Sequence, residues 1–549
     1  MAADVSSASK SAVSGGFLQA AGLIAVATLL SKLLGLIRDW MIFNAYGASL
    51  VTDAYFAAFQ IPSFALILLG GLGGPFHTAT VSVLTHLLTT RQSAEPAAGE
   101  QAEVLARRIA ATLLTLTGLV FALLSLLLGL MAEPLMALIL GNTADPQLLE
   151  RSAEMLRVMS PVFLLGGLMG IFFGVLNVYQ VFLWPSLSPA AQSLCMIAGL
   201  LLWGGDSTGM LLAWTTLGGA IAQLLVQLPD YLRRGYGLRP SLSAWKLPEL
   251  RRIGEMLFPA TVGTTIGQAT VYVDMFFAAM LPVGAWSAVV LSNRLIQFPL
   301  GVLQTALLVP IFPRFTRHAA AGDHHALGED FRRGVSGLWL ISIPMLVILL
   351  LETERIVRLT FQHGAFNPAA TRVVTDAIVF QAFQIVPYFA RDSLTRVFYA
   401  FQDTRTPLLV GLVAIGLKAL LNWWWVVETP GFGVGGITLS ITVITAVNMV
   451  FLAVLSRRYT HTLHFKSLLV TLFKLLMAGG AMYLAVYAME VPLLHLLGET
   501  SPWLRDGVLL LASSVCGLGV YALAVWILRL PEVSWLQERL LQRFQKKAS

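Results

Sequence analysis

The chain has 549 residues, of which 57% are hydrophobic and 12% charged, with a net charge of +7 and a mean hydropathy of +0.76. Soluble globular domains carry about 25% charged residues, so this composition excludes a water-soluble enzyme or regulator and places the chain in a bilayer. The positive balance does not point to nucleic acid, because Lys and Arg punctuate alternate loops instead of forming one patch or arm.

Residues 1–15 are Ala/Ser-rich with a single lysine, Lys10, and the apolar run behind them is longer than a secretory h-region, so no cleaved signal is expected. A spanning helix needs about 20 mostly apolar residues. About fourteen such segments are predicted, over 17–45, 50–88 (long or broken), 107–132, 155–179, 182–204, 208–230, 253–281, 285–312, 335–351, 373–401, 406–427, 433–456, 467–489 and 507–529. The fold class is therefore an all-α integral membrane protein. Cys195 and Cys516 fall inside apolar segments, where a thiol behaves as a small hydrophobe.

The loops set the orientation. Arg233, Arg234, Arg239, Lys246, Arg251 and Arg252 follow the sixth segment, and Arg314, Arg317, Arg332 and Arg333 follow the eighth. Arg457, Arg458 and Lys466 follow the twelfth, and Arg529, Arg539, Arg543, Lys546 and Lys547 the last. Loops after odd-numbered segments are poor in Lys and Arg, which predicts cytoplasmic termini. Arg355, Arg358 and Arg372 after the ninth segment are the exception.

An internal repeat is visible. Gly47-Ala48 and Phe59-Gln60-Ile61-Pro62 recur as Gly284-Ala285 and Ile296-Gln297-Phe298-Pro299 at one offset of 237, and Leu176 to Gln180 with Pro185 resemble Phe398 to Gln402 with Pro407 at 222. Six segments separate the matched elements, so two six-helix pseudo-repeats share one orientation and two C-terminal helices lie outside them. The expected division is a tail over 1–15, lobes over 16–232 and 253–458 joined by a basic linker over 233–252, the extra helices over 459–530 and a basic tail over 531–549.

A charge at mid-bilayer costs about 2.5–3.5 kcal/mol even on lenient scales, so charges inside the segments are candidate functional residues. Lys32 and Asp39, seven apart, lie on nearly one face of the first helix, with Arg38 on the adjacent stripe. Asp53 opens the second segment, where Thr52-Asp53 also fits an N-cap. Asp274, Arg294, Lys418 and the trio Arg391, Asp392 and Arg396 follow in later segments. Arg38–Asp39 and Asp274–Lys418 can be read as ion pairs that only hold helices together. Arg294 has no acidic neighbour in sequence, and its planar fork suits phosphate, so an anionic, phosphorylated substrate is the sharper reading.

Asp274, Asn422 and Thr438 can supply oxygens to a small cation, but Lys418 sits one turn before Asn422 and competes with a metal ion. A cation site and an ion pair both remain open there. His77 follows a Gly-rich break, and Trp423 to Trp425 suggest an interfacial aromatic belt. There is no P-loop, HExxH or GxSxG, and His324-His325 is an isolated pair, so neither an enzyme nor a metal centre is expected.

The stretches Ser31 to Asp39, Gly47-Ala48 with Thr52 to Phe56, Ser292 to Pro299 and Phe398 to Pro407, in this order and spacing, resemble the MurJ/MviN family. The resemblance spans segments one to twelve. It implies the multidrug/oligosaccharidyl-lipid/polysaccharide exporter fold and a lipid II flippase of the inner membrane, with lipid II or a related polyprenyl-diphosphate lipid as partner, alongside the cell-wall synthesis machinery. Arg38, Asp39, Asp53 and Arg294 are the positions it assigns to the cavity, with Lys32 beside them, and the last two helices would form a groove for the lipid tail. The chain departs from the family pattern at Lys32, where Arg is usual, and after Pro62, where Ser63 to Gly71 replace a charged cluster. In its Gly-rich segment and Pro75-Phe76-His77 it resembles the cyanobacterial-type branch. The expected mechanism is alternating access with no cofactor, driven by membrane potential or an H+ or Na+ gradient. Other polyprenyl-linked saccharides, a MATE-like antiporter or a cell-wall scaffold are the alternatives.

Overall fold

The computed structural model describes residues 26–530 apart from 71–73, 93–95, 142, 305–307, 309–310, 461 and 498–500, and among these it contains helices and connections but no strand. In hydrocarbon every backbone N–H and C=O must be satisfied within its own segment, which selects helices. The tails 1–15 and 531–549 of the sequence division lie outside the described residues.

The described part of α1 covers 26–46. Then come α2 (Leu50–Gly70), α3 (Pro75–Gln92), α4 (Pro96–Leu130), α5 (Ala132–Leu140), α6 (Pro146–Met159), α7 (Val162–Val178), α8 (Leu183–Trp203), α9 (Met210–Arg233) and α10 (Pro248–Ala278). They are followed by α11 (Ala285–Leu303), α12 (Phe312–Ala320), α13 (His324–Phe361), α14 (Pro368–Ala382), α15 (Ile385–Ala400), α16 (Arg405–Trp423), α17 (Gly433–Leu455), α18 (Phe465–Leu497) and α19 (Pro502–Ile527). Helix starts carry local signals. Asp145, Asp323 and Asn367 accept the N–H groups of Gln147, Ala326 and Ala370, closing the first turns of α6, α13 and α14.

The long or broken second segment is two helices, α2 and α3. Two other predicted spans are bent pairs, α6 with α7 at 41° and α14 with α15 at 48°. The ninth segment, expected over 335–351, is the 38-residue α13. At 1.5 Å per residue it is about 57 Å long and projects beyond a hydrocarbon core about 30 Å thick. Polar contacts carry the excess turns at both ends. Asp330 accepts from Arg314 at 2.6 Å at one end, and Arg355 pairs with Glu352 at 2.7 Å at the other.

The chain forms two compact units that divide between Ala279 and Met280. The first unit includes α10, which packs on α2, α3, α4 and α5. Phe276 of α10 covers Gly141, where a Cβ would meet its ring at 2.7 Å. The first unit has a core built on α3, α4 and α7 that includes Phe76, Ile109, Phe172 and Tyr231. Small residues bring α8 and α9 together: Gly219 lies against Gln192, which accepts from Gln223 Nε2 at 2.6 Å. The second unit has its core on α13, α15 and α18, including Phe331, Trp339, Leu394 and Met482, with α19 packed on α13 and α18.

The repeat has a backbone signature. Gly47 and Gly284 both take positive φ (65° and 94°) at the entrances to α2 and α11. Gln180 and Gln402, non-glycine residues, both take left-handed φ (57° and 61°) just after α7 and α15. Tyr179 then meets Tyr236 in one unit, and Phe401 stacks on Tyr459 in the other.

Candidate functional site

Eight helices are long and apolar enough to cross a bilayer alone, and the two bent pairs raise the number to ten among the described residues. The predicted segments left over are α1, α2 with α3, α10 and α11. These carry Lys32, Arg38, Asp39, Asp53, Asp274 and Arg294. Of these, α2 is itself apolar over Leu50–Leu66, with Asp53 as its one charge in that stretch.

On α1, Arg38 donates from Nε and Nη2 to one oxygen of Asp39, at 3.0 and 2.9 Å. Asp39 is buried at 3% exposure and the Arg38 side chain retains 14%. The pair lies between successive residues of one helix, so it does not tie two helices together. Lys32 is exposed. Next to it, Ser31 Oγ donates to the Ser186 carbonyl of α8 at 3.1 Å, and Tyr46 anchors the far end of α1 through its hydroxyl to Asp206 at 2.8 Å. Burial raises the Asp206 carboxyl, but hydrogen bonds from Thr208, Tyr46 and the N–H groups of Leu211 and Met210 outweigh it and hold it below the usual carboxylate range.

On α2, Thr52 helps to close the start of the helix. The Thr52 hydroxyl accepts from Ser49 N–H at 2.8 Å and donates to the Gly47 carbonyl at 2.9 Å. Asp53 is buried at 4% exposure within the first turn. Farther along, Tyr55 and Thr216 of α9 share a hydrogen bond at 2.9 Å. Asp274, 4% exposed, sits near the C-terminal end of α10. On α3, His77 is paired with Asn177 of α7 and meets the Phe173 ring edge-on at 5.3 Å.

In the second unit Arg294 is half-buried on α11 beside a chain of neutral polar groups. Ser292 Oγ donates to Gln381 Oε1 at 2.9 Å, and Gln381 Nε2 donates to Asn293 Oδ1 at 2.5 Å. At the other end of α11, Gln304 donates to Asp392 at 3.0 Å, and Arg396 donates to the same oxygen at 3.2 Å, while Arg391 lies over the Tyr388 ring at 4.8 Å. Lys418 and Asn422 share the buried stripe of α16, at 5% and 0% exposure, and α16 packs on α17, where Thr438 is also fully buried. The Thr438 hydroxyl donates to its own helix at Gly435. Asp274 belongs to the first unit, and Lys418, Asn422 and Thr438 to the second. Among the described residues no group of three His, Cys, Asp or Glu side chains is placed to hold a metal.

Two features escaped the sequence reading. Two of the three exceptional basic residues are paired with acids: Arg355 with Glu352 and Glu490, and Arg358 with Glu354 at 2.6 Å and Asp506 at 2.8 Å. Four acids surround two arginines, and the contacts staple α13 to α18 and α19. The glutamines 192, 223, 304 and 381 form interhelical hydrogen bonds. An uncharged amide in an apolar run is a faint signal, and only its helical spacing could have found these.

The family model described as "Lipid II flippase MurJ" matches residues 42–498. The chain is 31% identical to a Synechocystis protein named "Probable lipid II flippase MurJ" over 96% of this chain and 97% of the relative. It is 27% identical to the lipid II flippase MurJ of Burkholderia cenocepacia over 77% of this chain and 81% of that one. A solved structure of a lipid II flippase MurJ in an inward closed conformation superposes with a TM-score of 0.73 at 18% identity, covering 92% of this chain and 98% of that chain. An inward-facing MATE family transporter of the MOP superfamily gives 0.58 at 13% identity, over 78% and 94%. At these identities the solved structures speak for the fold alone.

Proposed function

The chain belongs to the lipid II flippase MurJ family, and from that premise we propose that it carries lipid II, a polyprenyl-diphosphate-linked peptidoglycan precursor, across the inner membrane. It is a multi-pass transporter and not an enzyme. The observation that carries the reading is the 31% identity with the Synechocystis relative over 96% of this chain and 97% of that protein.

The substrate's diphosphate is an anion that must enter a medium where charge is costly, and fixed cations lower that cost. Arg38 and Arg294 bind the diphosphate, Lys32 attracts it at the exposed face of α1, and Asp39 and Asp53 position the cations. Arg38 already donates twice to Asp39, so a bound diphosphate has to share or displace that carboxylate. This competition gives the site a way to let go. The two units work by alternating access, driven by the membrane potential or by an H+ or Na+ gradient, and the buried Lys418 ammonium occupies the place of a cation beside Asn422 and Thr438.

The second unit contains an apolar cleft of about 460 Å³ between α13, α15, α17 and α18, with Arg457 at one end. We assign the polyprenyl tail to it. Its walls shift the expected groove: α18 contributes, while α19 does not. The test is complementation. The chain supports growth of cells depleted of their own lipid II flippase, and Arg38→Ala and Arg294→Ala do not; growth with both variants would refute the charge-site assignment.

A further inference from the structure

A second cleft, of about 630 Å³, opens in the first unit between α4, the first turns of α10 and the basic segment that joins α9 to α10. Its floor is apolar, with Leu113, Val120 and Phe121 of α4, and its rim carries Trp245, Lys246 and Arg251. No part of the proposed transport path uses it.

Its depth relative to a bilayer follows from α4. The apolar window of that helix has a mean hydropathy of 2.4 and only 17% of it is buried within the protein, so it faces lipid. The basic segment is pinned to the start of this apolar stretch: Ser241 and Ala244 donate their backbone N–H groups to Thr115 and Thr112, at 2.9 and 3.1 Å. Lys246 and Trp245 are thereby held where hydrocarbon gives way to headgroups. Trp245, 62% exposed, has the amphipathic character that favours this depth, and Lys246 Nζ lies 5.2 Å from its ring. Arg251 has one partner, Glu255, through Nε at 2.8 Å, in a side chain that is 84% exposed. Residues 233–252 contain six basic side chains against one acid, Glu249.

We propose that this cleft binds an anionic phospholipid, with an acyl chain along Leu113, Val120 and Phe121 and the headgroup phosphate held by Lys246 and Arg251. An apolar floor ending at two cations at headgroup depth matches that chemistry, whereas a second copy of this chain would bring like charges together. The structure also offers a plug. Gly254 lines the cleft, and a Cβ there meets nothing within 4 Å, so Gly254→Leu fills the space while improving helix propensity in α10.

The experiment uses the full chain in liposomes containing photoactivatable phosphatidylglycerol or, separately, photoactivatable phosphatidylcholine, with crosslinks mapped by peptide. Phosphatidylglycerol labels residues 113–121 and 245–257 about ten-fold more than phosphatidylcholine does, and more than the exposed face of α19 at Leu511 and Leu523. Lys246→Gln and Arg251→Gln each lower the yield about five-fold, roughly the weight of one cation near an anionic surface. Gly254→Leu abolishes it with an unchanged thermal melt, and excess inorganic phosphate does not compete. Equal labelling by both lipids, labelling that survives Gly254→Leu, competition by phosphate alone, or protection of the cleft by chain-to-chain crosslinks would each overturn the proposal.

Discussion

Arg38 directs Nε and Nη2 onto the same carboxylate oxygen of the next residue, Asp39, at 3.0 and 2.9 Å, inside one helix of the membrane domain. Removing either partner leaves the other charge buried, and such a loss costs about 3–5 kcal/mol, whereas removing both is far cheaper. Asp39→Ala should therefore melt well below the parent in detergent, and Arg38→Ala/Asp39→Ala should recover most of the loss. The double variant should still fail in complementation. Equal melting of all three proteins would show that the pair is not energetically coupled.

The staple at the end of α13 gives a second prediction. Asp506 is 3% exposed and faces Arg358 at 2.8 Å, while Glu490 is 35% exposed in its contact with Arg355. Arg358→Ala should lower stability by about 2–4 kcal/mol by stranding Asp506, and Glu490→Gln by no more than about 1 kcal/mol. Thermal unfolding of the two variants in one detergent separates them.

Close packing makes two glycines of α13 unequal. A Cβ on Gly328 would collide with the backbone carbonyl of Thr462, which cannot swing away, whereas a Cβ on Gly337 meets nothing within 4 Å. Gly328→Ala should cost more than about 2 kcal/mol, and Gly337→Ala should be neutral or stabilising by up to about 1 kcal/mol, from helix propensity. Melting temperatures check the contrast, and the reverse order would contradict the packing.

Asp206 ties the end of α1 to the start of α9 and is held below its ordinary value of 3.8 by Thr208, Tyr46 and two backbone N–H groups acting against burial. A carboxyl depressed on folding stabilises the protein fully above its unfolded pKa and loses that contribution as pH falls through the folded value. The parent should thus lose stability on acidification below about pH 4. Tyr46→Phe removes the 2.8 Å hydrogen bond, so its acid-sensitive contribution should shrink by about 1 kcal/mol. Melting temperature followed from pH 6 to pH 3 reads the difference.

Most of the fold was legible because a bilayer leaves few choices. Apolar runs of sufficient length became helices, although α4 and α13 run about ten residues beyond where hydropathy placed their ends, and the left-handed pair Gln180 and Gln402 lies in the two repeat words read at the offset of 222. What hydropathy could not show was carried by polar atoms outside the apolar windows. The overlong ends of α13 depend on Asp330 and Arg355, and α12 is a short nine-residue helix interrupted by Arg314, Thr316, Arg317 and His318. The charges of α1 and α11 stood out because charge is costly in hydrocarbon. The neutral hydrogen-bonded groups on and beside α11 did not, since Ser292, Asn293 and Gln381 resemble the small or amide residues common in any helix contact. Likewise Arg355 and Arg358 looked like loop charges until Glu490 and Asp506, more than 130 residues away in sequence, were brought beside them.

The central claim is that the chain moves lipid II outward. Leaflet-specific accessibility of lipid II, measured in cells depleted of their own flippase and expressing this chain, tests it most directly. The account predicts that lipid II becomes accessible from outside with the parent chain and remains inaccessible with Arg294→Ala inserted at the same level. Lipid II that stays on the inner leaflet despite a correctly inserted parent chain would contradict it.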